Sequence, residues 1–281
     1  MILVTGASGK VGGQAMRRLV EKGLEVRTFT RDPAKIEALG LGVEAVGGDL
    51  DQPETIPPAL AGVEQVLVVA GGWDIPGEDA NMIEAAETAG VGHLVLLSSL
   101  GVEAGVASGP FHAPGEEKLR SSGLTWTILR PGFYMANAFM WHDTVVGQGV
   151  IYEPTGTGRH ALVHPADVGD VAAEVLATDG HGGRTYELTG PEALSSADCA
   201  AALAGVLGRE ISHVDVPDEA FRQGMAGAGV PAPVADNLAR YYAMVKAGDF
   251  AMVTQDVPEL LGRPARTFRE WAAENAGGFA A

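Results

Sequence analysis

A single cysteine in 281 residues, Cys199, leaves no partner for a disulfide and no second thiol for a metal cluster. It lies in an alanine-rich helical stretch at 196–203, where a small buried hydrophobe is expected. Basic residues are scarce: 19 Lys and Arg stand against 36 Asp and Glu, a formal net charge of −17. So acidic a surface repels phosphate backbones and anionic headgroups, so direct binding to nucleic acid or a membrane surface is not expected. A local basic pocket for a small anion remains compatible, because it needs only one or two residues. No apolar run approaches the roughly 18 residues that span a bilayer. The opening residues, Met1 to Gly6, form neither a basic n-region nor a cleavage-type segment, and a cytoplasmic setting is expected. No Gly-x-Ser-x-Gly nucleophile elbow occurs.

The chain instead has a regular alternation. β-branched runs at 2–5, 26–30, 43–46, 65–69 and 93–98 are each followed by helical spacing, at 11–22, 33–39, 53–60, 78–89 and 111–120. A sixth run, 126–130, closes the series. Val11, Ala15 and Leu19 fall on one helical face. Pro33 suits a first helical turn, and glycines 23, 40, 62, 90 and 123 stand where left-handed caps are expected. Near-continuous apolar strands such as Val66-Leu67-Val68-Val69 belong in a parallel sheet covered on both faces. The expected fold class is therefore α/β, a doubly wound parallel sheet. After about residue 131 the rhythm becomes helix (167–177), strand (185–188) and helix (196–207). A Gly/Pro/Ala-rich stretch at 224–233 and a helix at 234–246 follow. No linker intervenes, so 151–281 is expected to complete the sheet in part and to cap the carboxyl edge of a core formed by 1–150.

The strongest motif, Thr5-Gly6-Ala7-Ser8-Gly9-Lys10-Val11-Gly12, occupies the first strand–helix junction. Gly6-x-x-Gly9-x-x-Gly12 is a variant of the dinucleotide fingerprint. Gly6 permits a tight turn, Gly9 lets backbone approach a pyrophosphate, and Gly12 lets the helix pack closely on the strand. The pyrophosphate then meets the helix N-terminus, so Ser8, Lys10 and Val11 join the glycines as expected cofactor contacts. A triphosphate P-loop is excluded, because Lys10 is followed by Val11 where Ser or Thr is required. At the end of the second strand an arginine selects NADP and a carboxylate NAD. Arg31, with Lys35 one turn on, points to NADP(H), while Asp32 before Pro33 reads as a helix N-cap. Asp49 and Leu50 are expected along the adenine edge, and Ala70-Gly71-Gly72 should give a side-chain-free approach to the cofactor.

These residues, in this order, resemble the short-chain dehydrogenase/reductase superfamily and, within it, the atypical NmrA-like branch. The resemblance continues through Leu97-Ser98-Ser99-Leu100-Gly101, His112-x-x-x-Glu116 and Arg130-Pro131-Gly132-Phe133-Tyr134. It extends to His164-Pro165-Ala166-Asp167 and the tail Leu261-Gly262-Arg263-Pro264. It implies a Rossmann-type core, residues 1–150, that binds NADP(H), and a small C-terminal α/β substrate-binding lobe. Family members include NADPH-dependent quinone reductases, triphenylmethane dye reductases and non-catalytic NADP(H)-sensing regulators. The superfamily's usual Tyr-x-x-x-Lys proton relay is missing. The corresponding helix carries His112-x-x-x-Glu116, and Lys118 points about 200° away. Tyr242-x-x-x-Lys246 has the spacing but lies far downstream, and reads as coincidence.

Hydride transfer belongs to the cofactor, so the protein must supply position, desolvation and, where needed, a proton. His112 is the leading candidate donor, because imidazole titrates near neutral pH. Ser98 is placed to polarise a carbonyl or touch the cofactor. Pro131, Gly132 and Phe133 should run past the nicotinamide, with Tyr134 a donor to substrate. Met135, Phe139, Met140 and Trp141 form an apolar cluster suited to lining a pocket for a flat aromatic ring. No metal is expected: His160 and His164 sit in an extended segment, roughly 13 Å apart. Glu116 and Glu117 diverge by about 100° on their helix, and Asp167 and Asp170 read as a helix N-cap and first-turn acid. The expected function is NADPH-dependent reduction of a quinone-like or other conjugated aromatic acceptor, which takes hydride without a strong acid. The alternative is a non-catalytic NADP(H)-sensing regulator that binds a protein partner. A homodimer is left open.

Overall fold

The computed structural model describes residues 1–72 and 74–279. Its strands are β1 (Ile2–Thr5), β2 (Val26–Thr30), β3 (Glu44–Gly47), β4 (Gln65–Val68), β5 (His93–Leu97), β6 (Thr125–Pro131), β7 (Val150–Glu153), β8 (Arg184–Leu188) and β9 (Ser212–Asp215). Seven form one parallel sheet in the order β3-β2-β1-β4-β5-β6-β8, and β7 and β9 pair separately. Neighbouring residues of each central strand serve opposite faces. Val4, Leu67, Val95 and Leu129 join one core, and Leu3, Val66, Leu94 and Ile128 the other. α1 (Lys10–Glu21) covers the first face with Val11, Ala15, Met16 and Leu19.

After α2 (Pro33–Glu37), the second face is covered by α3 (Ile75–Ala89) and α4 (Gly109–Ser121). Then come α5 (His142–Gln148) and α6 (Pro165–Ala177), which packs beside α1 on the first face. A Cβ on Gly169 would lie 2.6 Å from Gln14 Cβ, so these two helices meet at their backbones. The remaining helices are α7 (Ser196–Leu207), α8 (Asp218–Gly227), α9 (Ala232–Ala247), α10 (Asp256–Leu261) and α11 (Phe268–Glu274). Strand order reverses between β1 and β4, which opens a crevice at the carboxyl edge of the sheet.

Three expectations need correction. Residues 53–60 form two 3₁₀ turns, Pro53–Thr55 and Pro57–Leu60, because Pro57 and Pro58 supply no amide hydrogens for an α-helical ladder. Glycines 23, 40, 62 and 90 are left-handed, but Gly123 is not; α4 ends in an extended Ser122 instead. Asp32 occupies an N-cap position without making the capping bond and approaches Lys35 at 3.4 Å.

The acids of α6 also differ from expectation. His164 caps this helix, accepting from the Ala166 amide, which frees Asp167 and Asp170 for ion pairs. Both are buried, and Arg263 reaches them at 2.7 and 2.6 Å, joined by Arg266. Asp170 also accepts from Gln14 of α1 at 2.7 Å, so the C-terminal tail is tied to the first helix. Another buried carboxylate, Glu153, accepts from Trp141 Nε1, Tyr242 Oη and Ser196 Oγ at 2.6–2.7 Å. Tyr242 is thereby committed, and Lys246 pairs with Asp215 at 3.1 Å, so the downstream Tyr-x-x-x-Lys spacing is indeed coincidental.

Between α3 and α4, Asp79 is fully buried with neither carboxyl oxygen bonded, against the bare backbone of Gly115. Burial, reinforced by the charge of Glu78, pushes its pKa from 3.8 up to about 8. Protonated Asp79 thus supports the fold fully below about pH 4, and that support is lost as pH rises towards 8. Asp79→Asn, neutral at every pH, should raise the melting temperature by several degrees at pH 8 and little at pH 4. Equal shifts at both pH values in a thermal denaturation series would contradict this.

Candidate active site

The β1–α1 turn opens one side of the crevice. Gly6 has φ +61, and Cβ atoms on Gly9 and Gly12 would lie 3.2 and 2.5 Å from the Gly6 carbonyl oxygen. Gly9, at the N-cap of α1, brings no side chain to the first-turn amides, and that turn has no acid. The turn that precedes them lines a groove of about 280 Å³, walled by Gly6, Ser8, Gly9, Arg31, Asp49 and Leu50, and by Ala70 to Gly72. A turn of bare backbone, donors without side-chain partners and an arginine at the rim fit a phosphorylated dinucleotide. Lys10, Val11, Gly12 and Lys35 do not line this groove. Lys10 sits 5.1 Å over the Phe139 ring, Val11 is core, Gly12 serves close packing, and Lys35 points to solvent. Gly72 is not free space either: its missing side chain admits the Glu78 carboxylate, which accepts from the Gly71 and Gly72 amides at 2.9 and 3.1 Å.

A larger cavity, about 500 Å³, adjoins the groove and shares Ala70 with it. Ser98, His112, Pro131, Gly132, Phe133 and Tyr134 all line it, as the sequence predicts. Met135, Phe139, Met140 and Trp141 do not, although Asn137 between them does. Met135 and Trp141 are buried in a C-terminal core, Phe139 stacks on Phe279 at 5.2 Å, and Met140 faces solvent. The apolar wall comes instead from Leu100, Phe111, Val234, Leu238, Tyr241 and Phe250. Phe133 and Tyr241 stack at 4.9 Å and 16°, and Tyr241 bonds His160 Nδ1 through its hydroxyl. Asn237 on α9 donates to the carbonyl of Ala107, a left-handed residue at φ +52. That bond fastens α9 to the loop before α4 and helps hold a conformation that costs roughly 1–2 kcal/mol for a residue with a Cβ.

Behind Ser98 lies a buried ionic network. Arg130 grips Glu116 with Nε and Nη2, at 2.9 and 2.8 Å, and Glu103 with Nη1 at 2.6 Å. Ser98 donates to Glu116 at 2.5 Å, which commits its proton and leaves only lone pairs for a ligand. Burial would raise the Glu116 pKa, but the hydrogen bonds from Arg130 and Ser98 and the nearby arginines hold it low. Ser98 is therefore an acceptor, not the carbonyl-polarising donor expected. His112 is also changed by its surroundings. Burial outweighs the charge of Glu116 and lowers the imidazole pKa from 6.5 to about 4, and Nδ1 has no partner. It is neutral at pH 7 and cannot act as an imidazolium acid. Burial raises the Tyr134 phenol above its ordinary range, so it stays protonated.

The sequence model of the NAD(P)H-binding family matches residues 6–179, glycine turn and cavity floor together. The chain belongs to this family. It is 37% identical to an NAD(P)H azoreductase of Xenophilus azovorans over 287 residues, covering all of both chains. Among solved structures it resembles the NADPH complex of the NADPH-dependent quinone oxidoreductase of Escherichia coli. That match has a TM-score of 0.89 and 27% identity, over 98% of this chain and 99% of the other. The NADP(H) complex of Citrobacter sp. triphenylmethane reductase aligns at a TM-score of 0.86 and 28% identity, over 98% and 100%.

In this NAD(P)H-binding protein the Glu116–Arg130 pair is the feature that sequence reasoning missed. The two residues lie 14 apart on a helix and a strand, and no spacing rule couples them; only the apolar run around Arg130, Thr127-Ile128-Leu129, hints that its charge is buried. Arg130→Met should destabilise the fold by about 3–5 kcal/mol, because Glu116 is left charged and buried. Adding Glu116→Gln should restore part of the loss in denaturant unfolding. Additive losses in that double mutant would refute the pairing energetics.

Proposed function

We propose that the protein is an NADPH-dependent reductase that passes hydride to a quinone-like or other conjugated aromatic acceptor. The observation that carries this reading is the aromatic-walled cavity opening directly off the dinucleotide groove at Ala70. The azo, quinone and triphenylmethane-dye reductases to which the chain is similar support it, since azo groups, quinones and triphenylmethane dyes are all conjugated. In this reading Gly6, Ser8, Gly9 and the first amides of α1 hold the pyrophosphate, and Arg31 takes the 2′-phosphate. Asp49 and Leu50 flank the adenosine; Ala70, Gly71, Ser98, Pro131, Gly132 and Phe133 border the nicotinamide half. The bound dinucleotide supplies the hydride.

The protein's own contribution is positional. Phe111, Phe133, Leu238, Tyr241 and Phe250 give the cavity an apolar, largely aromatic wall that suits a conjugated ring and shields it from water. Tyr134 is protonated and can donate to an acceptor oxygen or nitrogen, while neutral His112 offers a ring nitrogen for the same atom or for a water. The proton that follows hydride then comes from solvent, in keeping with the missing Tyr-x-x-x-Lys relay. No helix among the described residues is long and apolar enough to cross a membrane, and the proposed place of action is the cytoplasm.

NADPH oxidation should depend on an added acceptor such as 1,4-naphthoquinone, and its kcat/KM should be flat from about pH 5 to 8 because His112 titrates near 4. His112→Ala should lower kcat/KM about tenfold, the worth of one hydrogen bond. Binding of NADPH with no turnover on a panel of quinones and azo dyes would defeat the enzyme reading in favour of a sensor. Arg31→Glu should weaken NADPH binding by about 10- to 100-fold and NADH little; equal losses would remove Arg31 from the 2′-phosphate.

A further inference from the structure

Resting on the reductase reading, we infer that the acceptor carries an apolar, alkyl-type substituent that leaves the cavity between Phe111 and Val234. The lining of the cavity is graded. Ala70 follows β4, Ser98 and Ser99 follow β5, and Tyr134 and Asn137 follow β6, so polar side chains gather at the sheet edge where the cavity meets the groove. Ser98, Ser99 and His112 are buried. Two further lining residues turn their polar atoms elsewhere: the Asn237 amide donates to the Ala107 carbonyl, and the Tyr241 hydroxyl bonds His160.

The outer part is apolar and open. Phe111 is 48% and Val234 50% exposed, although both line the cavity. Each stands third in its helix, directly after a first-turn proline, Pro110 in α4 and Pro233 in α9. Pro233 is exposed as well, and Leu238, one turn past Val234, carries the apolar surface inward. Among the described lining residues Ser108 is the only exposed polar one. The rim is also fixed in width, because Asn237 ties α9 to the loop before α4. Apolar side chains held open to water at the mouth of a site gain when a ligand covers them. At about 500 Å³ the cavity is of a size that encloses a drug-sized molecule rather than a single ring. A ring held at the sheet edge for hydride transfer therefore sends its substituent outward along Leu238 to the rim, where the far end of the chain meets solvent.

A homologous series of 2-alkyl-1,4-naphthoquinones, methyl to hexyl, tests this, because the alkyl groups differ in length but hardly in their effect on the ring. Full burial of a methylene is worth about fourfold, and a chain covered on one side should raise kcat/KM by about twofold per methylene. The hexyl-to-methyl ratio should then be about 30-fold. Phe111→Ser combined with Val234→Ser alters only the rim and should bring that ratio below about fivefold, with intermediate values for the single variants. The ratio cancels any loss common to both quinones, which is what a purely structural defect would cause. A ratio near one in the unaltered protein, or one that the double variant leaves unchanged, would overturn the inference. So would a dimer in sedimentation that both serines dissociate, because a second copy would then cover the mouth. Absence of turnover with every member would overturn the reductase reading instead. The same hexyl preference in calorimetric titration, lost in the double variant, would in that case leave the apolar exit standing.

Discussion

A Cβ on Gly12 would lie 2.5 Å from the Gly6 carbonyl oxygen and 2.7 Å from that of Thr5, so α1 can begin where it does only because that side chain is missing. The close approach aims the first amides of α1 into the crevice beside β4, where strand order reverses. It also presses α1 against α6, whose Gly169 is bare for the same reason, and α6 carries the acids that anchor the C-terminal tail. One packing constraint thus links the phosphate-binding turn, the layer behind it and the tail that completes the lobe.

The second cavity is organised on the opposite principle, by removing charge rather than presenting it. Arg130, Glu116 and Glu103 satisfy one another behind the floor, and Ser98, bonded to Glu116, passes their polarity on to the cavity lining. Above it, Phe133, Tyr241 and Phe250 form successive ring contacts at 4.9 and 4.8 Å. A rim arginine in the groove and a charge-free chamber next to it suit a ligand with a polyanionic tail and an uncharged reactive end. Neutral His112 and protonated Tyr134 belong to the same economy, since neither adds charge to a space that could not solvate it.

Much of the groove was legible in the sequence because it is local. The glycine turn occupies eight consecutive residues, and buried parallel strands advertise themselves as continuous apolar runs. The lobe was not, because periodicity tells that a helix is amphipathic without telling what it packs against. Met135, Phe139 and Trp141 have the apolarity of a pocket wall and are core, whereas Tyr241 and Phe250 reach the cavity from more than a hundred residues beyond Phe133. Asp167 looked like a cap because aspartate often is one; Pro165, favoured at a first helical position, was the sign that His164 holds that place. Its true partners, Arg263 and Arg266, are almost a hundred residues away. His112 lines the cavity, but its titration follows from burial, which composition alone does not disclose.

The central claim is that the glycine turn holds the dinucleotide so that one face of its reactive ring meets the charge-free cavity. The most direct measurement is the deuterium content of NADP+ formed from the two stereospecifically 4-deuterated NADPH epimers during reduction of 1,4-naphthoquinone. One epimer should yield NADP+ with no deuterium and the other NADP+ that retains all of it. A mixture of labelled and unlabelled product from both epimers would contradict the claim.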